Sequence, residues 1–453
     1  MSEQAVAVAR GADLPQPAEL ESLVRQVLDE AKRQGASAAE AGVSLEAGLS
    51  VTVRLGEVET LEYHRDRGVG VTVYFGHRKA SASSSDFAPQ ALRETVRAAC
   101  DIARYTSEDD CAGLADAALM ARDMPDLDLC HPWDIDAARG IEIAQRCEAA
   151  ARDTDGRISN SEGATLSSHQ GLRVYGNSHG FLAGYPSTRH SLSCSVIAGR
   201  DEHMQRDYWY SVARRHEELE SAEHIGRMAA ERTLHRLGGR KLGTRQVPVI
   251  FAAEIATGLF RSLVSAVRGS SLYRKSSFLL DHLDKQIFPD FVRIHEQPHL
   301  RGALGSASFD SEGVATRARD LVSDGILRGY VLDSYSARKL GMQTTGNAGG
   351  VHNLTVESGA LDFDGLLREM RTGLLVTELM GQGVNMVTGD YSRGAAGFWV
   401  ENGAIQYPVE EITIAGNLKD MFMAIRAIGN DVERRGNYRT GSVLIERMTV
   451  AGE

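Results

Sequence analysis

Gly68-Val69-Gly70-Val71-Thr72-Val73-Tyr74-Phe75, running on through Gly76-His77-Arg78-Lys79-Ala80-Ser81-Ala82, places Val69, Val71, Val73 and Phe75 at a period of two. That period puts alternate side chains on one face of a strand, so Gly68 to Ala82 is read as a half-buried β-strand. Immediately upstream, Leu49 to Tyr63 alternates around a Leu55-Gly56-Glu57 turn. Consecutive strands joined by short turns imply an antiparallel sheet, because parallel neighbours need a long crossover.

Working outward, Leu20, Leu23, Val27, Leu28 and Ala31 form a helical stripe between Pro17 and Gln34. A helix after Asp86, taken as its N-cap, has Pro89 in its first turn and is expected to run to about Arg104. A second long helix is expected from near Asp134 to about Arg152, then strands through His203, then a helix from Ser221 to Leu237 ended by Gly238-Gly239. A short strand at Val247 to Phe251 precedes a helix with Ile255, Leu259, Leu263, Ala266 and Val267 on one face. Beyond Gly302 the signals are hairpins, with Asp324-Gly325 and Asn402-Gly403 supplying the positive φ angles of tight turns. The expected class is α+β: an N-terminal antiparallel sheet with helices, and a C-terminal, mainly antiparallel β domain with a few helices, curled toward a barrel. The expected domains are residues 17–238, with a further division near 110–133, and residues 239–453.

The chain has 453 residues, 42% hydrophobic and 25% charged, the composition of a globular protein with ample core. Its 50 Lys and Arg against 61 Asp and Glu give a formal charge of −11, which repels a phosphate backbone and argues against nucleic-acid binding. Arg236, Arg240, Lys241 and Arg245 cluster in a Gly-Gly-containing connector and are read as solvated. Cys100, Cys111, Cys130, Cys147 and Cys194 are odd in number and lack paired spacing, which suits reduced thiols and a cytoplasmic protein. Met1 to Glu19 lacks an apolar core and no run approaches membrane-spanning length, so neither export nor a membrane is expected.

His295-Glu296-Gln297-Pro298-His299 spells H-E-x-x-H, the zinc-protease signature. The signature works on a helix, where two histidines one turn apart share an ion and the glutamate activates its water. Pro298 removes a backbone donor and pushes Gln297 toward extended dihedrals, so the segment is read as strand and loop and the match as a decoy. Ser336-Ala337-Arg338-Lys339 fits S-x-x-K without its partner motifs and is read as an ordinary amphipathic segment. The loop Thr344-Thr345-Gly346-Asn347-Ala348-Gly349-Gly350 lacks the G-K-[ST] of a phosphate loop but could offer backbone amides to a carboxylate or a peptide; a plain turn is equally open. No Ser/His/Asp set can be picked from fourteen scattered histidines.

Several ordered blocks carry a resemblance: Ser270-Ser271-Leu272-Tyr273-Arg274-Lys275-Ser276-Ser277-Phe278-Leu279, Phe309-Asp310-Ser311-Glu312-Gly313, Asp333 to Gly341, Thr345 to Gly350, Asn385 to Ser392 and Gly429-Asn430-Asp431. Together they resemble the TldD/PmbA family of metallopeptidases, also labelled modulators of DNA gyrase, and within it the PmbA (TldE) branch. The resemblance is strongest over residues 240–453. It implies that a mid-chain helix carries His-Glu-x-x-x-His in the TldD branch, completed by a C-terminal cysteine. The corresponding residues here are Ala253, Glu254 and Gly258, and no cysteine follows Cys194. The resemblance therefore implies a chain with no catalytic residue and no zinc of its own, paired with a TldD-like zinc subunit that cleaves unstructured peptides, and able to form a homodimer when alone. Thr345, Gly346 and Asn347 are the candidate peptide-groove contacts. An independent hydrolase and a binding regulator of a target such as gyrase are the alternatives.

Overall fold

The computed structural model describes residues 14–452; Met1–Asp13, on which the expectation about export partly rests, lies outside them. The N-terminal half is built from two copies of one pattern. The first is α1 (Pro17–Arg33), β1 (Ala38–Arg54), β2 (Glu57–Phe75), β3 (Arg78–Ser84) and α2 (Pro89–Tyr105). The second is α3 (Ala137–Arg152), β4 (Ile158–Asn177), β5 (Leu182–Ala198), β6 (Gln205–Ala213) and α4 (Ala222–His235). The six strands form one antiparallel sheet in the order β3-β2-β1-β4-β5-β6, so the two meanders meet at the central β1–β4 pair.

Helices cover one face of this sheet. Val24 and Val27 of α1 and Val96 of α2 pack on Val43, Val71 and Val174, while Ala144, Cys147 and Ile225 of α3 and α4 pack on Val51, Leu166 and Leu192. The opposite face carries polar pairs such as Ser50–Ser167 at 3.1 Å and Thr52–Thr165 at 2.9 Å.

Three expected boundaries move. The run Gly68 to Ala82 is not one strand: Gly76-His77 turns it, so Arg78 pairs with Phe75 and Ala80 with Val73. The two-residue turn shifts the inward face from odd to even positions, and only the small, half-buried Ala80 and Ala82 mark that shift in the sequence. Asp86 is not the N-cap of α2. With Pro89 at the first helical position, Ala88 is the cap, and the Asp86 carboxylate accepts from the Ala88 N–H at 2.9 Å in the turn leading in. Helix α3 starts at Ala137, capped by Asp136. All five cysteines are free thiols.

The C-terminal half begins with β7 (Arg245–Phe251) and α5 (Ala253–Ala266), then α6 (Gly269–Tyr273), β8 (Ile294–Glu296), β9 (Arg319–Ser323), β10 (Ile326–Leu327), α7 (Ser334–Lys339), β11 (Leu354–Val356) and α8 (Phe363–Met370). It continues with β12 (Gly373–Met380), β13 (Asp390–Glu401), β14 (Ala404–Asn417), α9 (Leu418–Met423), β15 (Ile425–Ile428), β16 (Tyr438–Arg439) and β17 (Val443–Ala451). The order β14-β13-β12-β7-β17 closes on itself because Thr413 of β14 also pairs with Ala451 of β17. Its interior and flanks are filled by Phe251, Phe260, Phe288, Ile414, Phe422 and Val443. A second sheet, β10-β9-β8-β11-β16, lies against this core.

Asp324-Gly325 and Asn402-Gly403 both turn with positive φ, 53° and 72° in the first and 52° and 75° in the second. The α+β class and the curled C-terminal sheet are thus the architecture the chain adopts. The basic connector is not merely solvated: Arg240 stacks on Tyr407 at 4.5 Å, Arg245 on Trp399 at 5.3 Å, and Arg236 pairs with Asp207 at 3.7 Å and with Glu378. Among the described residues no helix is long and apolar enough to cross a membrane.

The two halves are bolted together through the segment joining the meanders. From α7, Arg338 donates to the carbonyls of Cys111, Gly113 and Leu114, and Tyr335 and Lys339 reach Asp109 at 2.6 and 2.8 Å.

Candidate functional site

Helix α5 opens the site. Its cap, Ala252, has no side-chain oxygen, so the N–H of Ala253 is satisfied from a distance by the Ser442 hydroxyl at 3.0 Å. Ser442 is itself gripped by Asp431, which accepts from its hydroxyl at 2.6 Å and its N–H at 2.9 Å. The Gly429-Asn430-Asp431 block therefore holds the start of this helix.

Glu254 follows in the first turn, where a carboxylate is favoured by the helix N-terminus. It accepts from Arg232 of α4 at 3.1 Å and from Arg435 at 3.4 Å. Arg435 lies over the rings of Trp209 at 4.1 Å and Tyr210 at 4.4 Å and is paired with Glu433. Burial works against the charge on Glu433, yet hydrogen bonds from Arg435 hold its carboxyl below the usual glutamate range. The charges converge on a cleft of about 480 Å³ between the two halves.

The family resemblance places a zinc site at Ala253, Glu254 and Gly258, with Ala253 and Gly258 at the two histidine positions, Glu254 at the glutamate between them, and a C-terminal cysteine, absent here, as the third ligand. A catalytic zinc takes three N, O or S donors and keeps one open position. Here Ala253 has none, Gly258 faces open space with no atom within 4 Å of an added Cβ, and Glu254 offers one carboxylate already bracketed by two guanidiniums. Those fixed positive charges repel a divalent ion at the same carboxylate. The donor set at this helix turn does not fit zinc.

The H-E-x-x-H residues do not converge. They lie on and just after β8, where alternation sends His295 and Glu296 to opposite sides. His295 approaches the exposed Glu357 at 3.7 Å, and His299 bonds the Thr316 hydroxyl at 3.1 Å. Glu296 is only 2% exposed and anchors a network: it accepts from Arg319 at 3.1 Å, from the Asn347 amide at 2.7 Å and from the His352 N–H at 2.6 Å.

Glu296 thereby meets the glycine loop. Thr345 donates to Asn347 at 2.7 Å, and Gly346, at φ 73°, packs so close to the Ala315 carbonyl that a Cβ would lie 2.7 Å from it. Asn347 is 4% exposed, its amide turned inward. Ala348 and Gly349, the next residues, line a second cleft of about 600 Å³ between the sheet face of the N-terminal half and the C-terminal half.

Asp310 lies on the wall of that cleft. Burial pushes its carboxyl up to about 6, against three backbone N–H donors, and burial pushes Glu312 up to about 7. Ser336 and Lys339 do not meet as an acyl-enzyme pair: Ser336 is buried against the Asp333 carbonyl, and Lys339 turns to Asp109.

Sequence inspection missed Arg232, Arg435 and Trp209. Their meeting depends on β6, α4 and the segment before β17 being folded together, and the charged run Glu433-Arg434-Arg435 is the one local hint.

Comparison with known proteins agrees with this architecture. Three family models match in succession: PmbA/TldA metallopeptidase domain 1 over residues 39–103, the central domain over 130–237 and the C-terminal domain over 244–452. The chain is 57% identical to metalloprotease PmbA of Escherichia coli O157:H7, covering 92% of each. It is 52% identical to the PmbA homologue of Haemophilus influenzae, over 96% of this chain and 97% of the relative. The TldD homologue of that organism is 21% identical, over 83% and 82%. A solved Bacteroides thetaiotaomicron protein, named for modulation of DNA gyrase, superposes with a TM-score of 0.92 at 30% identity, over 96% of this chain and 99% of that one. The chain therefore belongs to the PmbA/TldD metallopeptidase family, on its PmbA branch.

Proposed function

We propose that this chain is the non-zinc subunit of a two-subunit metallopeptidase. It pairs with a TldD-like zinc subunit, and the pair cleaves unstructured peptides at the partner's metal. The observation that carries the proposal is the start of α5, where Ala253 and Gly258 offer no donor and Glu254 is bound to Arg232 and Arg435. In this role Glu254 is a structural anion rather than a ligand or a base. The clefts between the halves restrict entry to extended chain.

The test is cleavage of an unfolded protein such as casein by three samples: this chain, a TldD-like subunit, and both together. Chelator-sensitive cleavage by the mixture, with none from this chain, is expected. Cleavage by this chain alone would replace the proposal with an independent hydrolase, and stable capture of gyrase with no cleavage in the mixture would replace it with a regulator.

A further inference from the structure

Glu46, His64 and His169 come together on the face of the N-terminal sheet away from the helices. They stand on three adjacent strands, β1, β2 and β4. The register sets Gly48 directly opposite both His64 and His169, with Glu46 two residues along on the same face. Having no side chain, Gly48 leaves a gap over the central strand into which both imidazoles lean. A Cβ there would lie 2.7 Å from Cε1 of His64 and 2.8 Å from Nδ1 of His169.

The rings are 4.6 Å apart between centroids and tilted by 41°. Nδ1 of His169 is 2.9 Å from Nε2 of His64 and 3.4 Å from a Glu46 oxygen, and one donor atom from each residue lies within 4.8 Å of the others. Among the described residues this is the group of His, Cys, Asp or Glu side chains with that convergence.

We propose that Glu46, His64 and His169 form a binding site for one divalent transition-metal ion such as zinc. Two imidazoles and a carboxylate are a donor set that zinc accepts, with a further position left open. Neighbouring ligand atoms on a tetrahedral ion with bonds of ~2.0–2.1 Å stand ~3.3 Å apart. The Glu46–His169 separation already matches, and the two ring nitrogens need to part by only a few tenths of an ångström as the ion replaces the proton they share. Asp66, opposite Glu46 on β2, adds negative potential, while Arg189, opposite His169 on β5, opposes it. Glu46 also lines the 600 Å³ cleft, so a bound ion would stand at its rim with its open position available to a carboxylate or carbonyl.

This departs from the expectation of a chain with no metal of its own. It is also independent of the proposed pairing, since the site lies on the N-terminal sheet and not on α5. The full chain, stripped with chelator, is titrated with Zn²⁺ against a chromophoric competitor and with Co²⁺ by visible absorption. One saturable equivalent per chain is expected. His64→Ala and His169→Ala should each weaken uptake by ~100-fold or more, and Glu46→Gln by ~10-fold. Circular dichroism and elution volume check that each variant is folded, and His64→Gln, which keeps the volume, stands in if the alanine variant is not. No saturable uptake below ~100 µM, or uptake that survives His64→Gln and His169→Ala but disappears with His295→Ala, overturns the proposal.

Discussion

Glu296 separates a structural from a catalytic role for the H-E-x-x-H segment, and its removal has a calculable cost. In Glu296→Ala, the Arg319 guanidinium loses its one carboxylate partner, while the Asn347 amide and the His352 N–H lose an acceptor. Breaking a buried ion pair from one side typically costs ~3–5 kcal/mol. Arg319 keeps the Tyr330 carbonyl at 2.8 Å and the Asn347 oxygen at 2.9 Å, and Asn347 keeps the Gly350 carbonyl at 3.0 Å, so the low end, ~3 kcal/mol, is expected. If the C-terminal half melts as one block of roughly 200 residues, that corresponds to a fall in Tm of roughly 6–12 °C. His295→Ala should cost less than ~1 kcal/mol, since its contact is with an exposed carboxylate. His299→Ala should cost ~0.5–1.5 kcal/mol for its bond to Thr316. Urea unfolding of the three variants, with hydrogen exchange of residues 345–352, reads the ranking. A zinc-protease motif predicts the reverse: all three variants folded and all three inactive. Glu296→Ala within ~1 kcal/mol of the parent would refute the anchoring role.

Glu312 is held near 7 by burial, above its unfolded value of about 4.5, so its stabilising protonated form is fully present below pH 4.5 and lost as pH rises through 7. Glu312→Gln should accordingly match the parent near pH 4.5 and exceed it at pH 8 by on the order of 3 kcal/mol in urea midpoints converted to free energy; a pH-independent difference would contradict this. Gly226→Ala puts a Cβ 2.1 Å from the Cys147 carbonyl where α4 crosses α3, and a loss of about 1–3 kcal/mol in thermal or urea melts is expected; an unchanged midpoint would mean that the helices part freely. Glu254→Gln should leave peptide cleavage by the mixed subunits within ~3-fold of the parent, whereas a catalytic base at this position would cost ~100-fold or more.

Much of the fold is legible in local sequence because hairpin turns and helix stops are local chemistry. Asn402-Gly403, Asp324-Gly325 and Gly238 each announce a backbone that other residues resist. The helical stripe of α1 is equally plain, although Val24, fully buried, goes unnoticed beside the partly buried Leu23 and Leu28. Barrel closure is not legible, since the pairing of Thr413 with Ala451 is set by how the whole sheet curls. The same holds for Arg232 and Arg435 at Glu254, and for His64 and His169 over Gly48. Residues far apart in sequence meet at one point, through the packing of helices and a loop at Glu254 and through strand register at Gly48. Proline inside His295–His299 shows the converse, a motif whose letters match while its backbone cannot.

The doubled meander has a consequence for how this half of the molecule assembles. Separated from its twin, each meander would expose β1 or β4 as a long unsatisfied edge, whereas the true outer edges, β3 and β6, are only seven and nine residues long, and β3 carries Arg78 and Lys79. Such an edge is a template for whatever strand arrives first. A chain nicked within residues 106–136 should therefore stay together as a two-piece sheet, and fragments made apart should find one another or aggregate. The central seam is thus both the joint that unites the two meanders in the native sheet and an adhesive surface on each of its halves.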